Sequence, residues 1–271
     1  MSIPPFELIQ GKRPLLISMP HNSAFIPPEL ANRMHPYART SPDTDWFLDR
    51  LYSFAKDLGA SLLKPACSRY VIDLNRPPDN ASLYPGQNTT ELCPTSCFDL
   101  REIYLPGEAP SQAEIQARIQ SWWQPYHQAL QAEQTRLRQK HPRVLIFEAH
   151  SIASEVPRFF EGVLPVFNLG SDNGQSCEPE LAQIFADHAE ASGEPWVLNG
   201  RFKGGYITRA YHGRTAGLLT LQLELSQASY LNEAEKSWRA DKAATVVPVL
   251  EKMLGEALAW LEREEQTNKS T

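Results

Sequence analysis

Three apolar runs of this chain each end on groups for which a buried strand has no structural use. His21 follows "RPLLISMP", Glu148 and His150 close "RVLIFEAH", and Glu224 stands late in "GLLTLQLELS". Asp43 and Asp45, in "SPDTDW", can bring a carboxylate to the same rim. In open α/β sheets ligands bind beyond the carboxyl ends of parallel strands, where residues distant in sequence converge. Two imidazoles and one carboxylate are the ligand set of a catalytic zinc site that keeps one position for water. Such a metal acidifies water and polarises a carbonyl, while a carboxylate outside its coordination shell moves protons, a role that suits Glu224. No H-E-x-x-H pattern fixes the geometry. A second reading therefore stays open, in which the histidines are unrelated loop residues and Asp43 and Asp45 only favour a helix N-terminus.

Arg69, Asn75 and Arg76 bracket "SRYVIDLNR", and Arg209 follows "FKGGYIT". Arginine pairs carboxylates bidentately, so clustered arginines beside a hydrolytic centre suggest an acidic substrate. Taken singly, each is as well explained by a surface ion pair, with Asp73 or Asp79 as partner. Gly204 and Gly205 read as a turn, because the strand, glycine fingerprint and helix order of a nucleotide site is missing. Ser151 adjoins His150, but the chain has no G-x-S-x-G elbow. Neither Cys67 nor Cys177 has the signature of a nucleophile. His212 lies near Arg209 and can line the same pocket.

The elements that must position these groups alternate between strands and helices. "RPLLISM" reads as a buried strand, and the segment after it as a helix capped by Ser41 with Pro42 in its first turn. A second strand is expected at Tyr70–Leu74, then one long loop, "RPPDNASLYPGQNTTELCPTSC", of a length that is more often functional than idle. Residues 111–140 form an amphipathic helix with Ile115, Ile119, Trp122, Tyr126 and Leu130 inward, kinked by Pro125. Strands follow at 143–149, 162–169 and 195–199, with a helix at 178–192. "GLLTLQLELS" alternates Leu219, Leu221, Leu223 and Leu225 with polar residues, which predicts a strand with one polar face. Residues 232–264 are expected to be helical and bent at Pro248. The pattern implies a single α/β domain over residues 1–271 with helices packed on a largely parallel or mixed sheet.

Composition narrows the function classes. Hydrophobic residues make up 42% and charged residues 21%, as in a globular protein with a sizeable core. With 26 Lys and Arg against 32 Asp and Glu, the net charge of −6 argues against nucleic acid or a membrane surface as partner and favours a small polar substrate. No signal-like leader or bilayer-length apolar run is present, so the expected address is the cytoplasm. Cys67, Cys93, Cys97 and Cys177 lack the spacing of a structural zinc site and are expected to be reduced thiols. The oligomeric state is not legible.

Nine segments in this order, "PHNSAFIPPEL", "DTDWFLDRLY", "SRYVIDLNRPPD", "LYPGQ", "LCP", "EAHSI", "PRFFEG", "NGRFKGGYITRAY" and "LQLELSQASY", resemble the N-formylglutamate deformylase (N-formylglutamate amidohydrolase) family over about residues 13–240. The resemblance implies a three-layer α/β/α fold with a central mixed, largely parallel sheet, related to zinc carboxypeptidase-type hydrolases (zinc-exopeptidase or phosphorylase/hydrolase-like). It implies hydrolysis of N-formyl-L-glutamate to glutamate and formate, the last step of one histidine-degradation route. It further implies one zinc ion held by His21, Asp45 and His150, with Asp43 the alternative to Asp45, and Glu224 as general base. Arg69, Asn75, Arg76 and Arg209 become candidates for gripping the substrate's carboxylates. The chain departs from the family pattern at Glu148, where aspartate is common, at "HNSAF" after the first histidine, and at "YHGRTAG". By strand alternation Glu148 faces the same way as His150, as an acceptor behind the imidazole or as a ligand itself. Two further readings follow from the departures: another N-acyl amino acid as substrate, or a non-catalytic carboxylate-binding relative.

Overall fold

The computed structural model describes residues 3–213 and 216–268. Two nine-residue strands, β4 (Val144–Ile152) and β7 (Leu218–Ser226), lie side by side and parallel, with His150 paired to Glu224. Around them β1 (Phe6–Ile9), β2 (Leu15–Ser18), β3 (Ser61–Pro65), β5 (Phe167–Gly170) and β6 (Trp196–Leu198) complete a seven-stranded sheet in the order β1-β3-β2-β4-β7-β5-β6. β1 is antiparallel to β3, and β5 to β7, while the other neighbours are parallel. A two-stranded ribbon pairs β8 (Leu231–Asn232) with β9 (Ser237–Trp238).

The helices are α1 (Pro28–Ala31), α2 (Leu48–Leu51), α3 (Gln112–Arg118), α4 (Gln124–Arg138), α5 (Pro179–Ala191), α6 (Tyr206–Ala210) and α7 (Ala240–Asn268). Period-2 alternation sends Leu219, Leu221, Leu223 and Leu225 to one face of the sheet, where they pack with Phe185 of α5 and Leu254 of α7. Leu16, Val144 and Ile146 face the other way, against Tyr126 and Leu130 of α4. Helices thus cover both faces of a mixed sheet, the expected three-layer α/β/α arrangement. Among the described residues no helix is long and apolar enough to cross a membrane. All four cysteines are buried, and none of them forms a disulfide.

Several local expectations are corrected. No helix starts at Ser41, which has φ 50°. Instead residues 42–47 bend inward, with the Asp45 amide donating to the His21 carbonyl (3.2 Å), and the helix begins only at Leu48. Tyr70–Leu74 is buried but is not a strand. With no sheet neighbour, its backbone is satisfied piecemeal: the Asp73 amide donates to Leu92 O, and Arg118 donates to Val71 O. The kink at Pro125 is absorbed by a π-helical turn over Ile119–Trp123, so the missing proline N–H falls at the start of α4. The polar face of β7 is not solvated, because a central strand is covered on both sides. Residues 232–264 begin with the β8–β9 ribbon, and the helix starts at Ala240, with Pro248 inside it.

α4 also fixes a buried titratable group. His127 accepts from the Tyr211 hydroxyl at Nδ1 (2.8 Å) and donates from Nε2 to Leu74 O (2.9 Å), so it is held neutral. Burial lowers its pKa from 6.5 to about 4. Between those values the unfolded chain binds the extra proton, so stability present above pH 6.5 is lost as pH falls toward 4. The expected loss from this group is about 3 kcal/mol. In chemical denaturation at pH 7 and pH 4, His127→Gln should lack that component; an unchanged pH dependence would refute the assignment.

Candidate active site

The carboxyl ends of β2, β4 and β7 open on a cleft lined by His21, Asp45, Arg69, His150 and Glu224. His21 is delivered by the turn after β2, and His150 and Glu224 by neighbouring central strands. Asp45 comes from the bent segment before α2, where its Oδ2 accepts from the Ser151 amide (3.1 Å). One ligand atom from each of His21, Asp45 and His150 lies within 4.8 Å of the others, and all three residues are buried. Asp43 is not part of this group. Its carboxylate accepts from the Tyr70 hydroxyl (2.5 Å) and the Phe98 amide (2.8 Å), and burial raises its pKa.

The imidazoles are held from behind by acids. His21 Nε2 lies 2.7 Å from Asp73 Oδ1, and His150 Nε2 lies 2.7 Å from Glu148 Oε1. A carboxylate only accepts, so each Nε2 carries a proton toward the acid behind it, while each Nδ1 faces Asp45 Oδ2, at 3.7 Å from His21 and 3.0 Å from His150, where a cation can take the place of the Nδ1 proton that His150 donates to Asp45. This is the arrangement in which a carboxylate fixes the tautomer of a metal-binding histidine. The donor set therefore fits a divalent cation. Burial works against charge at both Asp45 and His150, yet His21 and His150 hold Asp45 below the usual carboxylate range, and Asp45 and Glu148 hold His150 well above the usual imidazole range. Desolvation likewise opposes ionisation of Asp73, but His21 and Arg69 keep its pKa well below normal.

Glu148 stands behind His150 and outside the three-residue group. Besides His150 it accepts from Asn75 Nδ2 and, at Oε2, from the Thr208 amide (2.9 Å) and hydroxyl (2.5 Å). The longer side chain thus reaches α6. Asn75 is committed to the same clamp: its Oδ1 accepts from the Ile207 amide (3.0 Å), and its Nδ2 lies 3.1 Å from His150 Nε2. A Cβ on Gly205 would sit 2.1 Å from Asn75 Nδ2, so glycine is required there by close approach. Gly205→Ala should destabilise the fold by roughly 1–3 kcal/mol through overpacking. A denaturation midpoint equal to wild type would contradict that contact.

Glu224 differs from every other acid in the cleft. It is 8% exposed, yet its carboxylate has no hydrogen-bond partner among the described residues. Desolvation, only partly offset by His150, pushes its pKa up to about 8. A carboxyl in that range can take and return a proton near neutral pH.

The arginines divide unevenly. Arg69 lines the cleft but is paired with Asp73 (2.7 Å) and lies 4.0 Å from Asp45. Arg76 also lines it, donating to Thr90 O (3.0 Å) and Oγ1 (3.2 Å). Arg209 does not line the cleft: its Nε donates to Gly204 O (3.1 Å) and lies 3.7 Å from Asp172. Reading the sequence alone missed Arg201, in "NGRFKGG", which does line it. It took Asp73 only as an ion partner for arginine, although that residue holds both Arg69 and His21. His212 is absent from the lining, and Arg214 and Thr215 of "YHGRTAG" lie outside the described residues.

Fold and site together define a three-layer α/β protein with its polar centre at the carboxyl edge of parallel strands. The family model for N-formylglutamate amidohydrolase matches residues 13–231, and the chain belongs to this family; it is an amidohydrolase. It is 45% identical over 253 residues to the N-formylglutamate deformylase of Pseudomonas putida, covering 93% of this chain and 94% of that protein. The N-formylglutamate deformylase of Pseudomonas aeruginosa is also 45% identical over 253 residues, with 93% and 95% covered. In fold, the chain is similar to the crystal structure of N-formylglutamate amidohydrolase from Ralstonia eutropha JMP134, with a TM-score of 0.83, 24% identity, and 97% and 100% of the two chains covered.

Proposed function

We propose that this chain is a single catalytic domain that hydrolyses the formyl amide of N-formyl-L-glutamate, releasing glutamate and formate with the aid of one zinc ion. The relatives named above support the substrate, and the unpartnered Glu224 carboxylate beside the His–Asp–His group is the observation that carries the reaction. His21, Asp45 and His150 would hold the ion, a set of nitrogen and oxygen donors suited to zinc. When bound, zinc would acidify a water molecule and polarise the formyl carbonyl.

The remaining work falls to side chains of the protein. Glu224 takes a proton from the attacking water onto its carboxylate and returns it to the departing amine nitrogen. Burial among charged neighbours keeps the carboxyl near the middle of the useful range for both transfers. Glu148 and Asp73 hold the two imidazoles in one tautomer and orientation. Cleft arginines bind the substrate's carboxylates, which suits an acidic amino acid in a protein that is itself acidic. The setting that fits this chemistry is cytoplasmic, at the end of histidine degradation.

Formate release from N-formyl-L-glutamate should exceed release of acyl groups from N-acetyl-L-glutamate and N-formyl-L-methionine. A higher kcat/KM for either comparison substrate would replace the proposed one. Absence of turnover on all three, in metal-replete protein, would favour a binding role instead.

A further inference from the structure

Most arginines in this structure have an acidic partner, but Arg76 and Arg201 have none among the described residues. Both line the cleft. Each is braced by backbone oxygens: Arg201 donates from Nε to Phe159 O (2.7 Å) and from Nη2 to Asn88 O (3.0 Å), and Arg76 donates to Thr90. Carbonyl oxygens satisfy hydrogen bonds without neutralising charge. Each guanidinium also keeps Nη1 free of any protein hydrogen bond among the described residues. Partial burial and the charge of Arg76 both lower the pKa of Arg201. Two cations in a half-desolvated cleft, neither in an ion pair among the described residues and Arg76 reaching Asp73 only through space, cost free energy that a bound anion would recover.

We propose that Arg76 and Arg201 form the subsite for the side-chain carboxylate of the glutamyl group, and that Arg201 is a specificity-determining residue for it. This rests on the proposed function above. Geometry separates the two carboxylates of such a substrate. The α-carboxylate is attached to the carbon that bears the scissile amide and must stay close to the His–Asp–His group, where Arg69 lies 4.0 Å from Asp45. The side-chain carboxylate lies farther along the chain, and Arg201 reaches toward the exposed rim residue Asn88. Arg69 is already ion-paired with Asp73, so the guanidinium groups without an ion pair among the described residues, and thus free to select an acidic side chain, are those of the other two arginines. The loop from Arg76 to Cys97 acquires a purpose from this, since its Asn88 and Thr90 carbonyls brace both guanidinium groups. Arg158 donates to Thr89 O (3.3 Å) and Cys97 O (2.7 Å) and pins the same loop.

Calorimetric binding of L-glutamate and L-glutamine tests the subsite without any turnover. Wild-type protein should prefer glutamate by roughly 10- to 100-fold, the worth of a charge-assisted hydrogen bond. Arg201→Met and Arg76→Met should each weaken glutamate binding by most of that factor and leave glutamine binding within about threefold. Arg201→Lys, which keeps charge but not the fork, should fall between. A wild type with no preference, or a preference that survives in both methionine variants, would overturn the subsite. Formate release by wild-type protein reports separately on the reaction, so the two failures are distinguishable.

Discussion

Replacing Glu224 by glutamine is expected to lower kcat for formate release by roughly 10²–10⁴-fold, the usual worth of a positioned proton-transfer group. The substitution changes little else. The Glu224 carboxylate makes no hydrogen bond with a described residue, and Asn168 Nδ2 reaches only its backbone oxygen, so the isosteric amide orphans no partner, and the side chain keeps its place at 8% exposure. Burial holds the carboxyl at about 8, so removing it relieves desolvation and should not harm stability. Bound metal should be retained, because Glu224 lies outside the group formed by His21, Asp45 and His150. The measurements are single-turnover rates with metal content determined on the same samples. Activity within about threefold of wild type would remove Glu224 from the proton path.

His150→Ala should abolish both metal retention and activity. Protein purified without chelator is expected to carry about one transition metal per chain, as for a single three-ligand site. Even a residue behind a ligand is worth roughly 10–100-fold in metal affinity, so removal of a ligand itself should cost more than about 100-fold. The variant should still fold. Glu148 would lose the imidazole but keep Asn75 and both donors of Thr208, and Asp45 would keep the Ser151 amide. Elemental analysis with a circular-dichroism melt separates loss of metal from loss of fold. A folded variant with full metal occupancy would exclude His150 from the ligand set.

The departure at Glu148 has a structural account. The extra methylene carries its carboxylate to four donors, two from Thr208 and one each from Asn75 and His150, so it links the end of β4 to α6. Such a residue acts on the site by fixing the imidazole. The same clamp explains why Asn75, a candidate for binding substrate by resemblance, has little hydrogen-bonding capacity left for it: its Oδ1 and Nδ2 already serve Ile207 and Glu148.

The sequence by itself determined the local periodicities and the chemical types. Alternating leucines in 218–226, the continuous apolar run before Glu148, and the amphipathic 111–140 segment each report a face to be buried, and burial is local enough in pattern to be read directly. His21, His150 and Glu224 were legible as chemistry because polar groups closing apolar strands are costly without a purpose. The nine ordered motifs carried the family resemblance, and the acidic balance only the expectation of a small polar substrate. Only the tertiary structure placed Asp45, and not Asp43, beside His21 and His150, since both sit at the start of the same segment and their placement depends on a bend toward His21 and Ser151. It also moved Tyr70–Leu74 from strand to buried loop, because an apolar run specifies burial but not a hydrogen-bonding neighbour. Arg201 and Arg209 stand eight positions apart in one motif and look alike in sequence. One has no ion-paired acid among the described residues and the other lies near Asp172, and that difference arises from contacts between residues distant along the chain, which no local pattern encodes.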